Sequence, residues 1–261
     1  MLTLKIFLSL VSSFLFISAA QAKLVHKNLE YKSGAQSFEG YLVYDDAKTA
    51  KRPGVLVTHN WLGLTAQTEK KADMMAELGY VVFAADLYGK GIRPKDQAEA
   101  GKLATALKTD RKTLRERMNA SLKVLQENDL VNPSKLAVTG YCFGGTSAIE
   151  LARSGAPLRA VVSFHGGLDS PTPADGKNIK AKILALHGAD DPFEKSEDLL
   201  AFEKEMRDSK IDWQLIKFGG AVHSFTDPDA GSDNSKGAAY NARADKRSWA
   251  DMKAFLAEAL E

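Results

Sequence analysis

Lys135-Leu136-Ala137-Val138-Thr139-Gly140-Tyr141-Cys142-Phe143-Gly144-Gly145 is the stretch that decides how the rest of this chain is read. A short apolar run ends at a glycine, a thiol follows two residues later, and a helix-favouring segment leads away from Gly144. A strand that turns this sharply into a helix needs glycine on both sides of the turn, where a Cβ would strike neighbouring backbone. Cys142 then stands at the head of a helix, whose field and free N–H groups favour thiolate over thiol. The N–H of Phe143 falls where an oxyanion donor is required. The plainer reading is a small buried cysteine in a glycine-rich turn.

Outward from this turn the chain has a repeating rhythm. Residues 24–31 and 37–44 alternate polar and apolar and read as an antiparallel hairpin turning at Ser33-Gly34. From Pro53 onward, short apolar runs at 54–58, 80–85, 135–139, 158–164, 181–187 and 213–218 are the expected strands. Helical patterns at 66–78, 97–107, 109–128, 144–153, 197–207 and 238–260 lie between and after them. Continuous apolar strands separated by helices imply an α/β fold, a mostly parallel central sheet covered on both faces. Function in such sheets sits in the loops leaving the carboxyl ends of the strands.

A thiolate needs a base, and the base needs an orienter. After the 181–187 strand comes Gly188-Ala189-Asp190-Asp191-Pro192, and Asp191, three residues past the glycine, has the spacing expected of the acid. Asp190 is the alternative, and either carboxylate would also serve as a helix cap. After the last strand, Gly219-Gly220-Ala221-Val222-His223 puts a histidine in the loop expected to hold the base. His165, at the end of the 158–164 strand, is a substrate contact or structural filler, and His187 is a core residue or a support to the site. The loop after 54–58 reads His59-Asn60-Trp61-Leu62-Gly63-Leu64. The Trp61 N–H is the candidate second oxyanion donor, with its ring as pocket wall or core aromatic. Tyr88 and Lys90, after the 80–85 strand, are placed to face the site, as is Asn60.

Cys142 is the single cysteine of 261 residues, so no intrachain disulfide can form. Residues 1–22 combine Lys5, an apolar stretch from Ile6 to Ile17 and a small-x-small end at Ala20-Gln21-Ala22, the layout of a secretory signal peptide. The apolar run is short for a bilayer span. The expected product is an exported protein, periplasmic or secreted and bacterial in type, with one domain over 23–261 that leaves the membrane when the signal is removed. Basic and acidic residues number 35 and 33, and removing Lys5 with the signal leaves 34 against 33. They are interspersed, as in Arg111 to Arg117, which reads as a solvated helix face and argues against nucleic-acid or membrane-surface binding.

At these residues the chain resembles the dienelactone hydrolase family, over essentially all of 24–261. The resemblance is carried by His59-Asn60-Trp61-Leu62-Gly63-Leu64, Asp86-Leu87-Tyr88-Gly89, Gly140 to Gly145, the Asp191 segment, and Gly219 to Phe225. It implies an α/β-hydrolase fold and a Cys142-Asp191-His223 triad that opens lactones or cleaves esters without metal or cofactor. Two departures stand out. Asn60 occupies the place where dienelactone-cleaving members carry a glutamate against the resting thiol. Asp227 and Lys90 stand where those members carry arginines for a substrate carboxylate; Lys90 or Arg93 is the available cation, and Asp227 would repel an anion. The expected activity is cleavage of a small ester, lactone or thioester through an acyl-enzyme, by a monomer or weak homodimer. The competing readings are a non-catalytic ligand-binding homologue and a redox-sensing thiol protein.

Overall fold

The computed structural model describes residues 23–261, so the expected signal peptide at 1–22 lies outside the described residues. Eight strands form one sheet in the order β1-β2-β4-β3-β5-β6-β7-β8. β1 (Leu24–Ser33) and β2 (Gln36–Asp45) are the antiparallel hairpin. Its turn is one residue later than the sequence suggests: Ser33 pairs with Gln36, and Gly34 takes φ +57°. β2 joins β4 (Val81–Ala85) antiparallel, whereas β3 (Arg52–Thr58), β4, β5 (Val131–Tyr141), β6 (Ala160–Phe164), β7 (Lys182–Gly188) and β8 (Trp213–Phe218) are mutually parallel.

β4 and β6 are buried along their whole length, as strands covered on both faces must be. Pleating sends neighbouring side chains to opposite sides. Val55 and Val57 thus enter the core layer shared with α1 (Ala66–Glu77) and α6 (Ala242–Leu260). Leu56 enters the layer of α2 (Gln97–Thr109), α3 (Arg111–Gln126), α4 (Phe143–Arg153) and α5 (Ser196–Asp208). Asp110 both ends α2 and caps α3, its side chain accepting from the Thr113 N–H at 3.0 Å. β5 begins at Val131, ahead of Pro133, because Val131 pairs with Arg52 across a register shift in β3.

The charged run 111–117 is not the solvated face its composition suggests. Arg111 and Arg115 turn toward α4, where the fully buried Glu150 receives Arg115 Nε at 2.7 Å. Arg153 is also wholly buried and makes five hydrogen bonds, to Glu150, to both oxygens of Glu205, and to the Leu168 and Asp169 carbonyls. Arg111 reaches Asp169 at 2.6 Å and Arg115 reaches Asp175 at 2.6 Å. Three guanidinium groups and four carboxylates therefore tie α3, α4, α5 and the segments after β6 together. None of the described helices is long and apolar enough to cross a membrane.

Candidate active site

The turn between β5 and α4 holds Cys142 at φ 55°, ψ −117°, a left-handed backbone that a side chain rarely adopts. The glycines around it have defined neighbours. A Cβ on Gly140 would lie 2.0 Å from the Gly144 carbonyl oxygen, and one on Gly144 would lie 2.4 Å from the Thr58 oxygen. The helix that follows Cys142 thus rests directly on the end of β3, which brings the loop after β3 beside the sulfur. The Cys142 N–H donates to the Phe164 carbonyl at 2.9 Å, fixing the turn to β6.

Three residues from three strand ends meet at the half-buried thiol. His223 Nε2 lies 3.1 Å from Cys142 Sγ, and its Nδ1 lies 2.8 Å from Asp191 Oδ2. Asp190 instead accepts the Gly220 N–H at 3.0 Å and braces the loop carrying His223. Burial opposes a charged Cys142, but His223 and the Phe143 N–H against the sulfur outweigh it and hold the thiol below its ordinary 9.0. Burial likewise opposes a charged His223, yet the facing thiolate and Asp191 outweigh it and raise the imidazole well above 6.5. Both shifts favour a resting thiolate–imidazolium pair.

The loop after β3 supplies the opposite wall. The Asn60 side chain is consumed locally: its Oδ1 accepts the Leu62 N–H at 2.9 Å and its Nδ2 donates to Gln67 at 3.2 Å. Gln67 in turn hydrogen-bonds Asp227. The Trp61 N–H has no acceptor among the described residues, and the Phe143 N–H opens a helix and so has no intrahelical partner. Tyr88 is buried at the site, but its hydroxyl is committed to the Trp61 carbonyl at 2.8 Å. His165 backs His223: its ring meets the His223 ring edge-on at 5.2 Å, and its Nε2 pairs with Thr226 Oγ1 at 2.8 Å. Asn60 and His165 share with Lys71, Tyr141, Ser224 and Asp227 a cavity of about 20 Å³, the size of a water site.

Lys90 is not brought into the site. Its ammonium is held by Glu30 and, at 3.4 Å, by Glu39 of the hairpin, an arrangement that depends on contacts 50 and more residues away in the chain. Arg93 likewise donates to the Leu64 carbonyl at 2.7 Å and shores up the loop after β3. Sequence reading missed two neighbours. Phe193 meets His223 edge-on at 5.5 Å and is 64% exposed, an apolar lip over its ring. His59, fully buried, binds the backbone on either side of it. Its position at the head of the loop was the available signal. Among the described residues no group of three or more His, Cys, Asp or Glu is arranged to hold a metal ion.

Known proteins share this architecture and sequence. A structure called m3DLH superposes with a TM-score of 0.88 at 38% identity, covering 91% of this chain and 99% of the other. A dienelactone hydrolase-like promiscuous phosphotriesterase, P91, from metagenomic libraries does so at 0.87 and 39%, with the same coverages. A probable 2-oxo-3-(5-oxofuran-2-ylidene)propanoate lactonase of Bradyrhizobium is 30% identical over 188 residues, 68% of this chain and 75% of its own. A putative carboxymethylenebutenolidase of Aquifex aeolicus is 32% identical over 178 residues, 66% of this chain and 76% of its own. The family profile described as dienelactone hydrolase family matches residues 38–260. With the fold, the family match and these relatives agreeing, the chain belongs to the dienelactone hydrolase family of α/β-hydrolases, which act on lactone and ester bonds.

Proposed function

We propose that this protein cleaves small ester, lactone and thioester substrates through a covalent acyl-thioester on Cys142. The observation that carries the reading is the chain of contacts at the elbow, Sγ to Nε2 at 3.1 Å and Nδ1 to Oδ2 at 2.8 Å. The thiolate attacks the carbonyl carbon, and the oxygen takes up the negative charge against the Trp61 and Phe143 N–H groups. The tetrahedral species collapses by expelling the alkoxide or thiolate, which receives the proton held on His223 Nε2. His223 then takes a proton from water, the hydroxide adds to the thioester, and the second collapse releases the acid and restores the thiolate. Asp191 keeps the proton on Nδ1 and the ring in line.

Local charge supports a substrate that is neutral near the acyl carbon. By the resemblance, Asp227 stands in place of an arginine that would hold a substrate carboxylate; Lys71, which lines the same cavity, is paired with Asp245 at 3.8 Å, and Lys90 is tied to the hairpin. The test is hydrolysis of a panel of neutral aryl esters, thioesters, neutral and carboxylate-bearing lactones and a neutral phosphotriester, with intact-protein mass spectrometry of the quenched reaction. The phosphotriester is included because P91, 39% identical, is described as a promiscuous phosphotriesterase. Turnover with an acyl adduct mapped to Cys142 is the expected result. A protein that binds panel members but turns none over is a binding homologue, and oxidation-dependent dimers without turnover would assign a redox role. We also propose export with cleavage after Ala22, supported by the layout of residues 1–22 and checked by the N-terminal mass of the mature protein.

The pair also predicts a pH profile. Cys142 has a depressed pKa, so its thiolate is present above that value and lost only as pH falls through it. Alkylation by iodoacetamide should stay fast at pH values where an ordinary thiol, with its pKa of 9.0, is already protonated. In His223→Ala the midpoint should climb toward that ordinary value. A wild-type midpoint near 9 would sink the ion-pair description.

A further inference from the structure

We propose that His59 is the positioning residue of the oxyanion site, a neutral imidazole that aims the Trp61 N–H by holding the carbonyl of the same peptide. The inference rests on the acyl-thioester reading above. His59 follows β3, is wholly buried, and has both ring nitrogens engaged. The Leu87 N–H points at Nε2 from 3.1 Å, and a backbone N–H can only donate, so Nε2 is the acceptor. The ring proton is therefore on Nδ1, which donates to the Asn60 carbonyl at 2.6 Å. Burial, the dominant influence, keeps the ring neutral by drawing its pKa down to about 4.

The consequence follows from the planarity of one amide. All peptide bonds described are trans, so the Asn60 carbonyl and the Trp61 N–H point in opposite directions. A carbonyl pulled toward the imidazole, and reached also by the Gly63 N–H at 3.3 Å, sends the Trp61 N–H the other way. Tyr88 fixes the next peptide through its bond to the Trp61 carbonyl, and the Asn60 side chain closes the turn on the Leu62 N–H. The Asn60 and Trp61 carbonyls and the Leu62 N–H are thus engaged, while the Trp61 N–H has no acceptor among the described residues. The imidazole itself is clamped by the Tyr88 ring at 4.9 Å and the Phe143 ring at 5.9 Å. Phe143, which bears the other donor, therefore packs on the residue that aims the Trp61 N–H. Because Leu87 follows β4, His59 also transmits the position of that strand end to the site.

The test separates thiol reactivity from oxyanion stabilisation. Alkylation of Cys142 by iodoacetamide forms no oxyanion, whereas acylation by an aryl ester does. His59→Asn carries an amide N–H close to the Nδ1 position, whereas His59→Gln carries it at the Nε2 end. His59→Gln and His59→Phe are expected to acylate about a hundred to a thousandfold more slowly, the effect of losing one oxyanion donor. His59→Asn should recover most of that loss, and all three variants should alkylate at close to the wild-type rate. Equal acylation by the Asn and Gln variants, or acylation and alkylation falling in parallel, would overturn the role of His59. Absence of a Cys142 adduct in the wild type would instead overturn the acyl-thioester reading on which it rests.

Discussion

Cys142→Ala is expected to lower kcat on the best ester of the panel by about five to six orders of magnitude, the scale seen when a nucleophile is removed from a preassembled triad. The size of the loss follows from how much of the site serves the sulfur alone. His223 and Asp191 are aligned on Sγ, and both pKa shifts exist because thiolate and imidazolium face each other. Without the sulfur, His223 has only water to activate, and only the oxyanion donors and substrate binding remain. The variant should stay folded. Alanine presents the same Cβ to the backbone at φ 55°, so a stability change within about 1 kcal/mol is expected. Steady-state kinetics beside thermal unfolding checks both halves. Undiminished turnover would remove Cys142 from the chemistry, and an unfolded variant would assign the elbow a structural role.

The second large effect lies away from the reacting atoms. Arg153→Met is expected to lower the unfolding free energy by about 3–5 kcal/mol, read from guanidinium denaturation. Methionine fills much of the same space but donates nothing. Glu205 would lose both of its bonds to Arg153, Glu150 one of three guanidinium partners, and the Leu168 and Asp169 carbonyls their donor, all in a buried setting. The penalty is that of leaving charge unpaired, so it should shrink when the partner goes as well. Arg153→Met with Glu205→Leu should therefore be more stable than Arg153→Met alone. A single-variant loss below about 1 kcal/mol would show that the network relaxes around the gap.

How far the sequence could be read depended on whether a feature is decided locally. The elbow is local: Gly140 and Gly144 are required by atoms a few residues away and by β3 directly beneath, so the motif and the fold announce each other. The inner parallel strands such as β4 and β6 were legible for the same reason, since burial on both faces leaves an uninterrupted apolar run. Asp191 and His223 were reachable because each closes a strand whose end must lie at the site. Lys90 was misread because its partners, Glu30 and Glu39, come from the hairpin and no pattern near Lys90 reveals them. Arg111 and Arg115 were read as solvated because Glu150, the carboxylate that draws them inward, sits in the middle of another helix. His59 passed unnoticed because its role lies in which atom of the ring holds which peptide, a matter of geometry that composition does not encode.

The order of strands has a bearing on when this thiol becomes dangerous. Cys142 follows β5 near the centre of the sheet, whereas His223 and Asp191 follow β8 and β7, the last strands in the chain and the outermost on that side. Until those strands have docked, neither His223 nor Asp191 faces the sulfur, and of the groups that favour its thiolate only those near the elbow, such as the Phe143 N–H, are in place. The chain thus carries its one sulfhydryl through synthesis and collapse in a disarmed form, and completing the fold is itself the arming step.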